Sequence, residues 1–129
     1  MSLGRKRRIL IVEDQAMVSM IIEDILLDLG DEVVGPAAKL DYALTLALQA
    51  DIDIAILDIN VDGLVVFPVA DVLRYRGIPF IFSTGYDAHA LPLRFQGCPV
   101  LFKPFSYQNL CDMLNRVLSM KFNESENVC

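Results

Sequence analysis

The chain has 129 residues, of which 54% are hydrophobic and 22% charged, enough for one domain with one sizeable core and too few for two. Its 11 Lys and Arg against 17 Asp and Glu leave a net charge of −6, which argues against a general nucleic-acid-binding surface or an anionic-membrane surface. Cys98, Cys111 and Cys129 are odd in number and widely spaced, and no apolar run approaches the roughly 20 residues of a membrane span, so the expected setting is reducing and cytoplasmic. A single domain over residues 8–120 is expected, with flexible ends at 1–7 and 121–129. The one basic cluster, Arg5-Lys6-Arg7-Arg8, reads as a solvated lead-in to the first strand.

Ile9 to Val12 is a continuous apolar run that ends in Glu13-Asp14. From Gln15 to Leu29, Met17, Ile21, Ile22, Ile25, Leu26 and Leu29 recur at helical spacing, and Gly30 supplies a stop. Glu32-Val33-Val34 reads as a short strand, and Leu40, Ala43, Leu44, Ala47 and Leu48 mark a second helix. Ile54 to Leu57 ends in Asp58; Pro68 then opens a third helix, with Val69, Val72 and Leu73 on its apolar face, which stops before Gly77. Phe80 to Phe82 ends in Ser83-Thr84. Pro92 limits any helix between Tyr86 and Gly97 to a short or irregular one. Val100 to Phe102 ends in Lys103, and Ser106 caps a last helix buried through Leu110, Met113, Leu114, Val117 and Leu118. Alternating strands and helices, with strands apolar on both faces, predict a doubly wound α/β fold on a five-stranded parallel sheet.

In such a sheet the polar ends of successive strands converge at one edge, where sites form. Glu13, Asp14 and Asp58 would stand together there, each pair repelling by about 4 kcal/mol at 4 Å and an effective dielectric near 20. A hard divalent cation among them is expected: Mg²⁺, or Mn²⁺ in its place, because it accepts few protein ligands and bridges to phosphate oxygens. Lys103 offers a point charge for a phosphate oxygen and Thr84 a hydroxyl donor. Asp58, beside the cation and Lys103, is then the natural nucleophile toward phosphorus, giving an acyl phosphate.

These residues resemble the receiver domain of bacterial two-component response regulators: Glu13-Asp14 after the first strand, Asp58 after the third, Thr84 after the fourth and Lys103-Pro104 after the fifth. The resemblance runs from about Arg8 to Met120. It implies the flavodoxin-like strand order 2-1-3-4-5 and phosphorylation of Asp58 by a histidine kinase or histidine phosphotransfer protein. It also implies Mg²⁺ held by Asp14, Asp58 and the Asn60 carbonyl, with Glu13 acting through water. Lys103 would pair with the phosphoryl group, with a cis bond to Pro104 as an expected feature. No turnover of an external substrate is expected, only assistance to the domain's own phosphorylation and dephosphorylation. Asn60 and Tyr86 would flank the water path and tune the lifetime of the phosphorylated state.

Within that family, Pro79 to Tyr86 resembles the signature of the FATGUY receivers, often stand-alone domains, with Ser83 in place of Ala; Phe67-Pro68-Val69-Ala70 agrees. Val100 stands where most receivers carry an aromatic switch residue. The expected switch therefore runs through Thr84, Gly85 and Tyr86 to an unknown downstream protein. Two other readings compete. A haloacid dehalogenase type phosphatase would want an acid two residues after the nucleophile, where Asn60 stands, and an acidic pair after the Lys, whereas Glu13-Asp14 lies before Asp58. The other is a receiver taken from a longer regulator.

Overall fold

A computed structural model describes residues 5–85 and 91–123, with side chains described as far as Met120. Its elements are β1 (Arg8–Val12), α1 (Ala16–Asp28), β2 (Glu32–Ala37), α2 (Leu40–Gln49), β3 (Ile54–Asp58), β4 (Asn60–Val61), β5 (Leu64–Val65), α3 (Phe67–Tyr75), β6 (Phe80–Thr84), a 3-10 turn at Leu93–Phe95, β7 (Val100–Phe102) and α4 (Tyr107–Asn123). Five strands form one parallel sheet in the order β2-β1-β3-β6-β7. With the small β4-β5 hairpin set aside, this is the 2-1-3-4-5 order of a flavodoxin-like fold.

Alternation along the strands sorts the core into two layers. Leu10, Val12, Ala55, Leu57, Phe80 and Phe82 pack under α2 and α3. Ile9, Ile11, Ile54, Ile56, Ile81 and Leu101 pack under α1 and α4. Since both faces are covered, the strands are apolar throughout and only their ends are free to be polar.

Several elements depart from the sequence expectation. Met17 and Ile21 are 77% and 52% exposed and Leu48 59% exposed, so these three lie outside the buried stripes. In α1 that stripe is Ile22, Ile25 and Leu26, with Ser19 beside them. The apolar arc of the helix is wider than the strip the sheet can cover. β2 continues past Val34 to Ala37 through Gly35-Pro36, a cis pair. Gly35 has φ +91°, and a Cβ there would stand 2.8 Å from the Ala37 nitrogen and 3.3 Å from the Ile11 carbonyl oxygen. Both neighbours are backbone and cannot yield, so Gly35→Ala should lower unfolding free energy by about 1–3 kcal/mol in urea titration. Of the segment expected as a short fourth helix, residues 86–90 lie outside the described residues; the remainder holds the single turn Leu93–Phe95.

The helix starts follow local chemistry. Pro68 sits in the first turn of α3. Ser106 caps α4 reciprocally: the Asn109 amide donates to Ser106 Oγ and the Ser106 amide to Asn109 Oδ1, each at 3.0 Å. The basic lead-in is more engaged than a solvated run. Arg7 grips the buried Asp31 through Nε and Nη2 at 2.7 and 2.8 Å, Arg5 reaches Asp53 at 3.1 Å, and Arg8 reaches Glu32 at 3.1 Å. These pairs belt the amino-terminal edge of the sheet.

Candidate functional site

At the opposite edge, β1 runs directly into Glu13 and Asp14, β3 ends in Asp58, β6 in Thr84, and Lys103 follows β7. Parallel register aligns these ends. Asp58 pairs with Ser83 across β3 and β6, and the Lys103 amide donates to the Thr84 carbonyl at 2.9 Å. Glu13, Asp14 and Asp58 each bring a carboxylate oxygen within 4.8 Å of the others. Lys103 Nζ lies 2.8 Å from Glu13 Oε1 and 3.5 Å from Asp58 Oδ1.

The three carboxylates have different duties. Glu13 is 2% exposed, with Oε1 taking a hydrogen bond from Lys103 and Oε2 one from the Gln15 amide at 3.0 Å. With both oxygens engaged inside the protein, Glu13 is the anchor of Lys103. Asp14 is exposed and commits Oδ2 to the Asp62 amide at 2.8 Å. The Asp58 side chain is 14% exposed. Burial and the charge of Glu13 push its carboxyl up to about 7, against the downward pull of Lys103. One ammonium therefore does not balance three acids.

This imbalance is what a hard cation would relieve. Hard oxygen donors, one of them exposed, around an under-compensated cluster suit Mg²⁺ or Mn²⁺. The donors border a cleft of about 410 Å³ lined by Asp14, Gln15, Asp58, Asn60, Thr84, Gly85 and Lys103. Such a space is large enough for a phosphoryl-sized anion, and Lys103 and Thr84 border it together with the carboxylates of Asp14 and Asp58.

Of the residues singled out in the sequence, Glu13, Asp14, Asp58, Asn60, Thr84 and Lys103 are brought to this edge. Thr84 is 5% exposed. Val100 lies in the sheet opposite Phe82 and packs on the α2/α3 layer. Tyr86 lies outside the described residues. The Lys103–Pro104 bond is cis. Missing from the sequence reading were Gln15, which holds Glu13, and the β4-β5 hairpin, which holds Asp14. Asp62 and Gly63 have φ of 52° and 80°, both positive as a type I′ turn requires. Lys39 Nζ, 3.1 Å from Asp62 Oδ2, ties the hairpin tip to the loop before α2. An Asp-Gly pair between apolar residues was the available signal.

No family model matches the chain. SdrG from Sphingomonas melonis Fr1 is 39% identical over 85% of this chain and 94% of that one, with a TM-score of 0.77. A CheY-like response regulator receiver domain protein from Methanospirillum hungatei JF-1 superposes with a TM-score of 0.82 over 92% and 98% of the two chains; at 22% identity it speaks for the fold. The curated protein PdtaR from Mycobacterium tuberculosis, a transcriptional regulatory protein, is 29% identical over 124 residues, 92% of this chain. The chain spans 59% of the length of that relative.

Proposed function

Because this chain belongs to the family of response regulator receiver domains, we propose that it is a phosphoacceptor signalling domain, phosphorylated on Asp58 by a histidine kinase or histidine phosphotransfer protein. The observation that carries this reading is the position of Lys103 Nζ, 2.8 Å from Glu13 and 3.5 Å from Asp58, beside the acidic cluster. An Asp58 oxygen bonds to phosphorus while the bond from phosphorus to the donor imidazole nitrogen breaks, and the electron pair leaves on that nitrogen. The product is an acyl phosphate. Lys103 neutralises phosphoryl oxygens and the Thr84 hydroxyl donates to one of them. Asp14, Asp58 and the Asn60 carbonyl would hold Mg²⁺ or Mn²⁺, with Glu13 behind them; when bound, the ion neutralises phosphoryl charge and favours ionised Asp58.

The domain works in the cytoplasm as a switch rather than a turnover enzyme, and its output is a protein partner engaged according to the state of Asp58. The stretch Phe80 to Gly85 supports the stand-alone FATGUY type. With Val100 in the usual aromatic position, the state of Asp58 is reported through Thr84, Gly85 and Tyr86.

The test is labelling with a small phosphodonor. A hydroxylamine-sensitive mass increase of one phosphoryl group should map to Asp58, require Mg²⁺ and vanish in Asp58→Asn. Labelling that persists in Asp58→Asn, or sustained release of phosphate over many turnovers from a generic phosphomonoester, overturns the reading.

A further inference from the structure

Ser83 Oγ is buried and makes no hydrogen bond in the structure. The residue is 1% exposed, and leaving a hydroxyl without a partner at such a depth costs about 1–3 kcal/mol. Its place in the fold supplies a use for it. Along β6, Phe80 and Phe82 face the α2/α3 layer and Ile81 faces α1 and α4. Alternation therefore turns Ser83 to the Ile81 side, and by the same rule Asp58 follows Ile54 and Ile56 on that side of β3. Ser83 pairs with Asp58 on one flank and Leu101 on the other, two residues before Lys103.

Lys103 starts beyond β7, yet its ammonium sits against Glu13, just after β1, and Asp58 of β3. The side chain must pass the end of β6 to arrive there, on the face of the sheet that Ser83 shares by alternation. The ammonium carries three protons. It now leans toward Glu13, the strand farther from β6. A phosphoryl group on Asp58 would draw it one strand back, toward Ser83.

Resting on the phosphoacceptor reading, we propose that Ser83 is a positioning residue for Lys103, its Oγ accepting a hydrogen bond from the ammonium when Lys103 turns from Glu13 to the phosphoryl group. The hydroxyl is unpaired in the resting state and paired in the phosphorylated one. Its hydrogen bond thus contributes only to the latter, which biases the equilibrium between the two.

Beryllofluoride, added with Mg²⁺, is the probe, since it forms an acyl phosphate mimic on an aspartate. Ser83→Ala should melt no lower than wild type and bind Mg²⁺ equally well, yet bind beryllofluoride about three- to tenfold more weakly. Ser83→Thr, which keeps the hydroxyl, should recover most of that loss. The ¹⁵N signal of the Lys103 ammonium should differ between wild type and Ser83→Ala only in the beryllofluoride complex. Equal beryllofluoride affinity in wild type and Ser83→Ala overturns the role of Ser83 alone. If wild type forms no adduct at all, the phosphoacceptor reading fails and this proposal falls with it.

Discussion

In metal-free buffer at pH 8, Asp58→Asn should melt about 6–10 °C above wild type, and the gap should shrink toward pH 4. The Asp58 carboxyl is raised from 3.8 to about 7 by burial and by Glu13. A carboxyl whose folded value lies above its unfolded value binds its proton more tightly in the folded protein. The stability it contributes is therefore complete below about pH 4 and is lost as pH rises through about 7. At pH 8 the wild-type chain must hold an ionised Asp58 beside Glu13, whereas the amide of the variant carries no charge. Some water reaches the side chain and Lys103 offsets part of the repulsion, so a gain of about 2 kcal/mol is expected rather than the full value of the shift. For a domain of this size that is the stated change in melting temperature. Added Mg²⁺ should close the gap from the wild-type side, because the folded form alone has the assembled ligands. Thermal melts of both proteins at pH 4, 6 and 8, with and without Mg²⁺, test this; equal melting temperatures at pH 8 would mean that Lys103 already balances the cluster.

The second large effect is expected at a residue that does not line the cleft. Phe95→Ala should lower unfolding free energy by about 3–5 kcal/mol, and Phe95→Leu by under about 2 kcal/mol. Phe95 is fully buried, with its ring 5.6 Å from that of Phe67, 5.9 Å from Phe80 and 5.4 Å from Phe82. Arg74 and Arg94 bring their guanidinium carbons to 4.6 and 4.7 Å from its centre. Arg94 is in turn forked onto Asp71 with two 3.0 Å bonds, and Arg74 donates to the Arg94 carbonyl at 2.8 Å. Removing the ring opens a cavity and takes away the surface on which both arginines rest. Urea titration checks it; a loss under about 1 kcal/mol would show that the neighbouring rings collapse into the space.

These two cases mark how far the sequence could be read. Asp58 stood out because buried parallel strands leave only their ends for polar residues, so an acid after Ile54 to Leu57 is conspicuous. The same logic located Glu13, Asp14, Thr84 and Lys103, whereas the strand order came from the family resemblance. Phe95 offered no such contrast. It lies in a Pro- and Gly-bounded stretch without periodicity, and its importance comes largely from Phe67, Phe80, Phe82 and Arg74, distant in the chain, which only tertiary packing brings together. The outward Met17 and Ile21 failed for the opposite reason: hydrophobic spacing reports what a helix could bury, not how wide a strip its neighbour covers. The hairpin was legible in Asp62-Gly63 but short enough to pass for a loop.

The arginine belt at the amino-terminal edge gives the molecule a polarity. Arg5, Arg7 and Arg8 are spent against Asp31, Glu32, Asp51 and Asp53 at one end of the strands. At the other end Glu13, Asp14, Asp58 and Asp62 are met, among the described residues, by Lys103 and Lys39. Acids thus outnumber lysines at the edge where, on the phosphoacceptor reading, a phosphodonor would approach. On that reading a small anionic donor would meet a repulsive field before it met the nucleophile, while a divalent ion would be drawn in by that same field. The placement of charge along the strand axis would then favour an order of arrival, cation first and phosphate second, before any chemistry begins.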